Sequence, residues 1–236
     1  MKNFELKSFS GADELARAAA QDWLDLLDRT DGAHLVAVPG GRIAKNFFRA
    51  VAELAGPSSG PLQKADFFWA DERCVPPDHP QSNYLTAKDN LFDKMRIAPE
   101  RIHRLKGELP AGEAVAEAVA AIRRLAPKNA GGVPVLDLIF LGLGEDGHVA
   151  SLASNVPESV AQSASPFVHI ENSPKPPPNR LSMTYPVLAA AQAVWVLASG
   201  AGKEEALRQS LAGATTPLGR VLQSRAQTRI YTDIAL

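Results

Sequence analysis

Five short stretches of the chain have strand character, and several are apolar almost without a break: His34–Val38, Asp66–Ala70, Leu136–Leu141, Ala193–Ala198 and Thr228–Tyr231. A strand with one wet face alternates polar and apolar residues. A strand covered on both faces does not. Between these stretches lie segments with helical spacing of Ala, Leu and Val, at Glu14–Leu27, Ile43–Leu54, Ala111–Leu125 and Gly202–Leu211. Ser10 with Asp13 resembles a capping box ahead of the first. Strands alternating with helices predict an α/β fold with a parallel sheet, covered by helices on both faces.

The chain has 236 residues with ordinary globular composition, enough to bury a sizeable core. No repeat or long linker divides it, so residues 1–236 read as one domain. Its 25 basic and 26 acidic side chains nearly cancel, which gives no sign of a nucleic-acid or membrane partner. Any anion site must therefore be built locally. Cys74 is the only cysteine, which excludes an internal disulfide and a thiolate metal cluster. The first residues lack the apolar centre of a secretory signal, and no apolar run approaches the ~20 residues of a membrane span. The expectation is a soluble, cytoplasmic protein, a monomer or a small homo-oligomer. Gly56–Pro61, Asn129–Pro134 and Ser173–Pro178 read as loops.

In parallel sheets, ligands bind beyond the C-terminal strand ends, so the segment after each strand matters most. After His34–Val38 comes "PGGRIAKNFF". Gly40 and Gly41 let the backbone approach a ligand, and Arg42 opens a helix whose free N–H groups favour an anion. A plain strand-to-helix turn would also use glycine. After Asp66–Ala70, Asp71, Glu72 and Arg73 stand together, and Arg73 could clamp a phosphate or carboxylate through two hydrogen bonds. A solvated turn is the simpler alternative. Ser82 is placed to cap a helix over Asn83–Phe92.

After Leu136–Leu141 comes "GLGEDGHVASL". Its glycines permit a tight exposed turn carrying Glu145, Asp146 and His148. Histidine is the side chain best suited to take a proton near neutral pH, and Asp146 or Glu145 could orient it. Two further positions carry useful charge. Arg180, like Lys175, flanks a proline run and precedes an expected strand, Leu181–Tyr185. Lys203 falls in the first turn of a helix, where it opposes the helix dipole unless an anion lies between them.

Several chemistries are disfavoured. There is no G-x-S-x-G elbow and no G-x-x-x-x-G-K-[ST] loop. "GLGEDG" does not match the dinucleotide pattern. The histidines at 34, 79, 103, 148 and 169 lack paired metal-ligand spacing. Nothing in the spacing supports Cys74 with His79 as a nucleophile and base.

Five segments in this order resemble the 6-phosphogluconolactonases, within the group that includes glucosamine-6-phosphate deaminases: "GG" at 40–41, "WADERCVPPDHPQSNY" at 69–84, "LGLGEDGHVASL" at 141–152, "KPPPNRLSMTYPVL" at 175–188 and "GKEEAL" at 202–207. The resemblance implies a Rossmann-like fold and a cofactor-free enzyme, and the histidine spacing leaves no expected metal site. The implied reaction is hydrolysis of 6-phospho-D-glucono-1,5-lactone in the oxidative pentose phosphate pathway. His148 matches the family's proposed base, with Asp146 behind it. Arg73, Arg180 and Lys203 match positions lining the substrate pocket, to which Gly40, Gly41, Arg42, Asp71, Glu72 and Asn83 are added as expected substrate contacts.

The chain departs from the family pattern in two places. Pro39 and Arg42-Ile43-Ala44 flank the glycine pair where the family usually has Ser before it and Ser-Thr-Pro after it. Ala153-Ser154 come after Ser-Leu in place of Phe-Pro. The alternatives are a deaminase/isomerase, whose relatives carry a Phe-Asn-Glu-Pro type segment where this chain reads "VASL", and a non-catalytic sugar-phosphate-binding regulator.

Overall fold

The computed structural model describes residues 3–56 and 60–236. Residues 57–59 of the expected Gly56–Pro61 loop lie outside them. Strands β1 (Phe4–Ser8), β2 (His34–Val38), β3 (Ala65–Trp69), β5 (Leu138–Gly142), β8 (Ala193–Ala198) and β9 (Thr228–Thr232) form a six-stranded sheet in the order β1-β9-β8-β5-β2-β3. Every pairing within it is parallel. All five residues of β2 and of β3 are buried. Successive side chains of a strand point to opposite faces, so both faces are covered, which is the physical meaning of the unbroken apolar runs.

On one face α1 (Ala12–Asp28) and α2 (Arg42–Ala55) pack together and seal an aromatic core. Trp23 of α1 meets Phe140 of β5 with ring centroids 5.5 Å apart, and Phe47 of α2 meets the same ring at 4.6 Å. Burying such side chains contributes about 1.5–3 kcal/mol each, and this cluster sets the depth at which the two helices sit.

A second, three-stranded antiparallel sheet has the order β4-β7-β6, formed by β4 (Asp71–Arg73), β6 (Phe167–Ile170) and β7 (Arg180–Met183). The remaining helices are α3 (Asn83–Ala87), α4 (Asp93–Met95), α5 (Ala111–Leu125), α6 (Glu158–Ala161), α7 (Tyr185–Ala190), α8 (Glu204–Leu211) and α9 (Pro217–Gln223).

Local differences from the sequence reading have local causes. The expected helix Asn83–Phe92 is α3 continued by a π-turn over Lys88–Phe92 and then by α4, with Ser82 Oγ accepting the Leu85 N–H at its start. The Ser10 box partner is Glu14, one residue later than expected: its carboxylate accepts from Ser10 N at 2.9 Å and from Ser10 Oγ at 2.6 Å. The strand expected over Leu181–Tyr185 ends at Met183, because α7 begins at Tyr185 and Pro186, in its first turn, lacks an N–H for the ladder. The helix expected from Gly202 begins at Glu204, because Gly202 has φ +83°, outside helical space.

Candidate active site

The sheet order changes direction between β2 and β5. From β2 the chain moves outward to β3, then returns to place β5 on the other side of β2. Loops leaving the C-terminal ends of two such strands part from each other and open a crevice. The loops here are Pro39–Gly41 and Leu143–Val149. They bring Gly40, Gly41 and His148 into the wall of one cavity of about 70 Å³, which Asp71, Arg73 and Arg180 complete from the small sheet. Gly142, Leu143 and Ala150 line it as well.

His148 is held from two sides. Its Nδ1 lies 2.5 Å from Asp146 Oδ1. That hydrogen bond holds the Asp146 carboxyl down to about 2, so it is ionised at neutral pH and accepts. Nδ1 then carries the proton, and Nε2 has no partner among the described residues. Under the ring, Gly144 leaves the space it needs: a Cβ there would stand 2.0 Å from Nδ1. The loop is closed by Gly144 N–H donating to His148 O, and anchored to α9 by Leu218 N–H donating to Gly147 O. Gly147 sits at φ +80°, which accounts for glycine there. The histidine side chain keeps 21% of its surface exposed, so it is neither sealed in the core nor adrift.

The two arginines form an unusual pair. Arg73 and Arg180 lie directly opposite each other in the β4/β7 register. Like charges at opposed positions destabilise a sheet. Arg180 is also buried, with Nε donating to Pro177 O and Nη2 to Lys175 O, and Asp71 Oδ2 is its nearest carboxylate oxygen at 4.0 Å. Burial lowers its pKa; Asp71 opposes that and Arg73 reinforces it. Arg73 Nη1 donates to Gln81 O, while its buried Nε finds no partner. An anion between the two guanidinium groups would relieve both the repulsion and the orphaned donor.

Asp71 organises this floor. Its Oδ2 accepts from Ser151 Oγ at 2.6 Å, and its backbone carbonyl accepts from Asn83 Nδ2 at 2.8 Å. Asn83, expected to touch substrate, is buried against Gly40: a Cβ on Gly40 would lie 2.3 Å from Asn83 Nδ2. Glu72, expected likewise, points away from the cavity. Its two oxygens accept the N–H groups of Arg73, Asn83 and Tyr84 and the Ser82 hydroxyl, tying β4 to the start of α3. Burial pushes its carboxyl up to about 7 against those donors. Both residues serve as scaffold, one layer behind the wall.

Neither Arg42 nor Lys203 lines the cavity; Arg42 follows Gly41 of its wall in the chain, and the charges of both act on Glu145 in the loop that carries His148, a neighbourhood that forms the rim. Gly41, at φ +82°, is the N-cap of α2, and exposed Arg42 comes next as the first helical residue. Lys203 is the N-cap residue of α8 and is buried, its Nζ donating to Ser199 O. Lys203 sits one position earlier than the first helical turn, and that carbonyl relieves the dipole conflict expected from sequence. Burial lowers its pKa, and neighbouring Arg42 adds to the effect.

Sequence reasoning missed Ser151, Ser182 and Ala150. Ser182 Oγ accepts the Ser151 N–H at 3.2 Å, and Ala150 lines the cavity at φ +50°, a conformation costing a non-glycine residue about 1–3 kcal/mol. Ser151 lies within the quoted "HVASL" and was legible as part of that segment. The left-handed alanine had no signal. Cys74 is half-buried, and burial raises its pKa, the reverse of what a thiolate nucleophile needs.

Residues 10–230 match the family described as glucosamine-6-phosphate isomerases/6-phosphogluconolactonase. The chain belongs to this family. A member from Streptomyces coelicolor named 6-phosphogluconolactonase is 35% identical over 189 residues, covering 78% of this chain and 72% of that one. The Arabidopsis thaliana protein named 6-phosphogluconolactonase 3, chloroplastic, is 34% identical over 216 residues, covering 88% and 66%. The solved 6-phosphogluconolactonase of Thermotoga maritima superposes with a TM-score of 0.80 at 25% identity, covering 97% of this chain and 98% of that one. The family fold accordingly spans nearly the whole chain. None of the described helices is long and apolar enough to cross a membrane.

Proposed function

We propose that this family member is a cytoplasmic 6-phosphogluconolactonase, hydrolysing 6-phospho-D-glucono-1,5-lactone to 6-phosphogluconate with His148 as general base. The observation that carries the reading is the convergence, in one small cavity, of an imidazole oriented by an ionised carboxylate with two opposed guanidinium groups.

A lactone is an activated ester and needs positioning, one base and charge stabilisation, without a covalent nucleophile. Asp146 fixes Nδ1 as the protonated nitrogen of His148 and leaves Nε2 to receive a proton. A water beside Nε2 attacks C1 as the imidazole takes its proton. The developing oxyanion is met by the guanidinium groups at the floor. As the C1–O5 bond breaks, the imidazolium returns the proton to O5, giving the open-chain acid, which ionises. The C6 phosphate then lies toward the rim, near Arg42, Lys203 and the N-terminus of α2, where charge and helix dipole replace the hydroxyl groups absent from this glycine loop. General-base assistance of this kind contributes about 10²–10⁴ in rate, and fixing the lactone in reach contributes a comparable or larger share.

The test is proton release from freshly made lactone, with and without protein, for the parent and His148→Ala. The expected result is acceleration by the parent and loss of about 10²–10⁴ in turnover in the folded variant. A variant within a few-fold of the parent removes His148 from the mechanism. Ammonia release from glucosamine-6-phosphate would instead assign the deaminase activity. Binding of 6-phosphogluconate with no acceleration of lactone hydrolysis would assign a regulator.

A further inference from the structure

The rim cations do not face an empty mouth. Glu145 stands among them. Its Oε2 accepts from Lys175 Nζ at 3.0 Å, and its Oε1 lies 3.9 Å from Arg42 Nη2. Its Cγ rests 3.5 Å from the Cβ position of Gly202, so the side chain lies along the turn that delivers Lys203. Lys175 and Arg42 both lower the Glu145 pKa, and Lys203 adds a smaller effect. Two cations from separate loops, after β2 and before β7, thus share one carboxylate, and Lys203, after β8, adds its charge from farther off while its Nζ donates to Ser199 O. Among the described ion pairs, neither Arg42 nor Lys175 has another acidic partner.

We propose that Glu145 is a displaceable counter-anion: it gathers the rim cations before ligand arrives and is exchanged for the phosphate of the sugar, thereby setting the affinity for phosphorylated over unphosphorylated ligands. This rests on the reading of the rim as the phosphate end of the site. A phosphate monoester carries about −1.5 to −2 charge at neutral pH, against −1 for a carboxylate, so it wins the exchange. The Glu145 side chain is 48% exposed and free to swing into water. Ion pairs this exposed contribute little, so the exchange lowers affinity by a modest factor instead of blocking binding.

The test is calorimetric titration of the full chain with inorganic phosphate, 6-phosphogluconate and D-gluconate, for the parent, Glu145→Gln and Glu145→Ala. The expected result is binding of both phosphorylated probes about threefold to tenfold tighter in both variants, with D-gluconate unchanged. The gain should shrink as sodium chloride is raised toward about 0.5 M. Phosphate affinity unchanged or weakened in a folded variant overturns the proposal while leaving the lactonase reading intact. Equal tightening of D-gluconate overturns it too, because the carboxylate would then be opposing the sugar and not the phosphate. A parent protein that binds neither phosphorylated probe overturns both readings together.

Discussion

The replacement Gly144→Ala adds one methyl group and tests whether the placement of His148 matters to the chemistry. The new Cβ would lie 2.0 Å from His148 Nδ1, 2.2 Å from Cε1 and 2.7 Å from Asp146 Oδ1. Ordinary van der Waals contact begins near 3.4 Å, so the ring must retreat by about 1.4 Å, and the carboxylate behind it must shift as well. Gly144 is not among the residues with positive φ, so alanine meets no backbone strain there and the clash falls on the two side chains. A misplacement of about 1 Å can cost about 10²-fold in rate, and loss of the base altogether about 10²–10⁴. Turnover should fall by at least about 10², with the substrate KM changed far less, because the cationic floor and rim are untouched. Initial rates of proton release over a range of lactone concentrations separate the two parameters, and circular dichroism verifies the fold. A folded Gly144→Ala protein turning over within about threefold of the parent would refute the oriented-imidazole mechanism.

The same geometry sets four further outcomes. Asp146→Asn should lower turnover at least tenfold at every pH from about 4 to 8, since the carboxylate, held down to about 2, is ionised throughout that range; a loss confined to the alkaline half would contradict this. The depressed pKa also signs the stability effect: the Asp146–His148 contact contributes above the unfolded carboxyl value of 3.8 and is lost as pH falls through about 2, so acid unfolding of Asp146→Asn should be the flatter of the two. Glu72→Gln should destabilise the protein by about 1–3 kcal/mol in urea titrations at a pH of about 7.5, because an amide nitrogen would replace one carboxylate oxygen that accepts from two donors. Gly40→Ala should cost about 1–3 kcal/mol and raise KM, because its Cβ would collide with the Asn83 amide that braces Asp71; an unchanged thermal midpoint would show that Asn83 yields freely.

The central sheet was legible because most of its strands, the edge strand β3 included, are buried and read as apolar runs: β2 and β8 match the expected bounds, and β3, β5 and β9 fall within two residues of them. The elements that escaped did so for physical reasons. β1 is an edge strand of mixed exposure, FELKS, with no continuous apolar signal. β4 consists of three charged residues, and those charges disguise it as a turn. Of the candidate site, His148, Asp71, Arg73, Arg180, Gly40 and Gly41 share one cavity, and Asp146 supports the histidine from behind. Glu72 and Asn83 were grouped with them by adjacency in sequence. A strand alternates sides and a helix start consumes acceptors, so neighbours of a wall residue often serve the frame behind it. That distinction depends on which way each side chain points, which the order of residues does not encode.

The imidazole–carboxylate pair leaves the sheet from β5, whereas the glycine turn with Arg42 leaves from β2, and the lysine of the α8 cap from β8. The proposed base and the proposed charge-binding groups therefore sit on separate ribs of one frame. Under the proposed assignment, a change in the handle for the sugar, such as Arg42 beside the glycine pair, leaves the strand that carries the imidazole untouched.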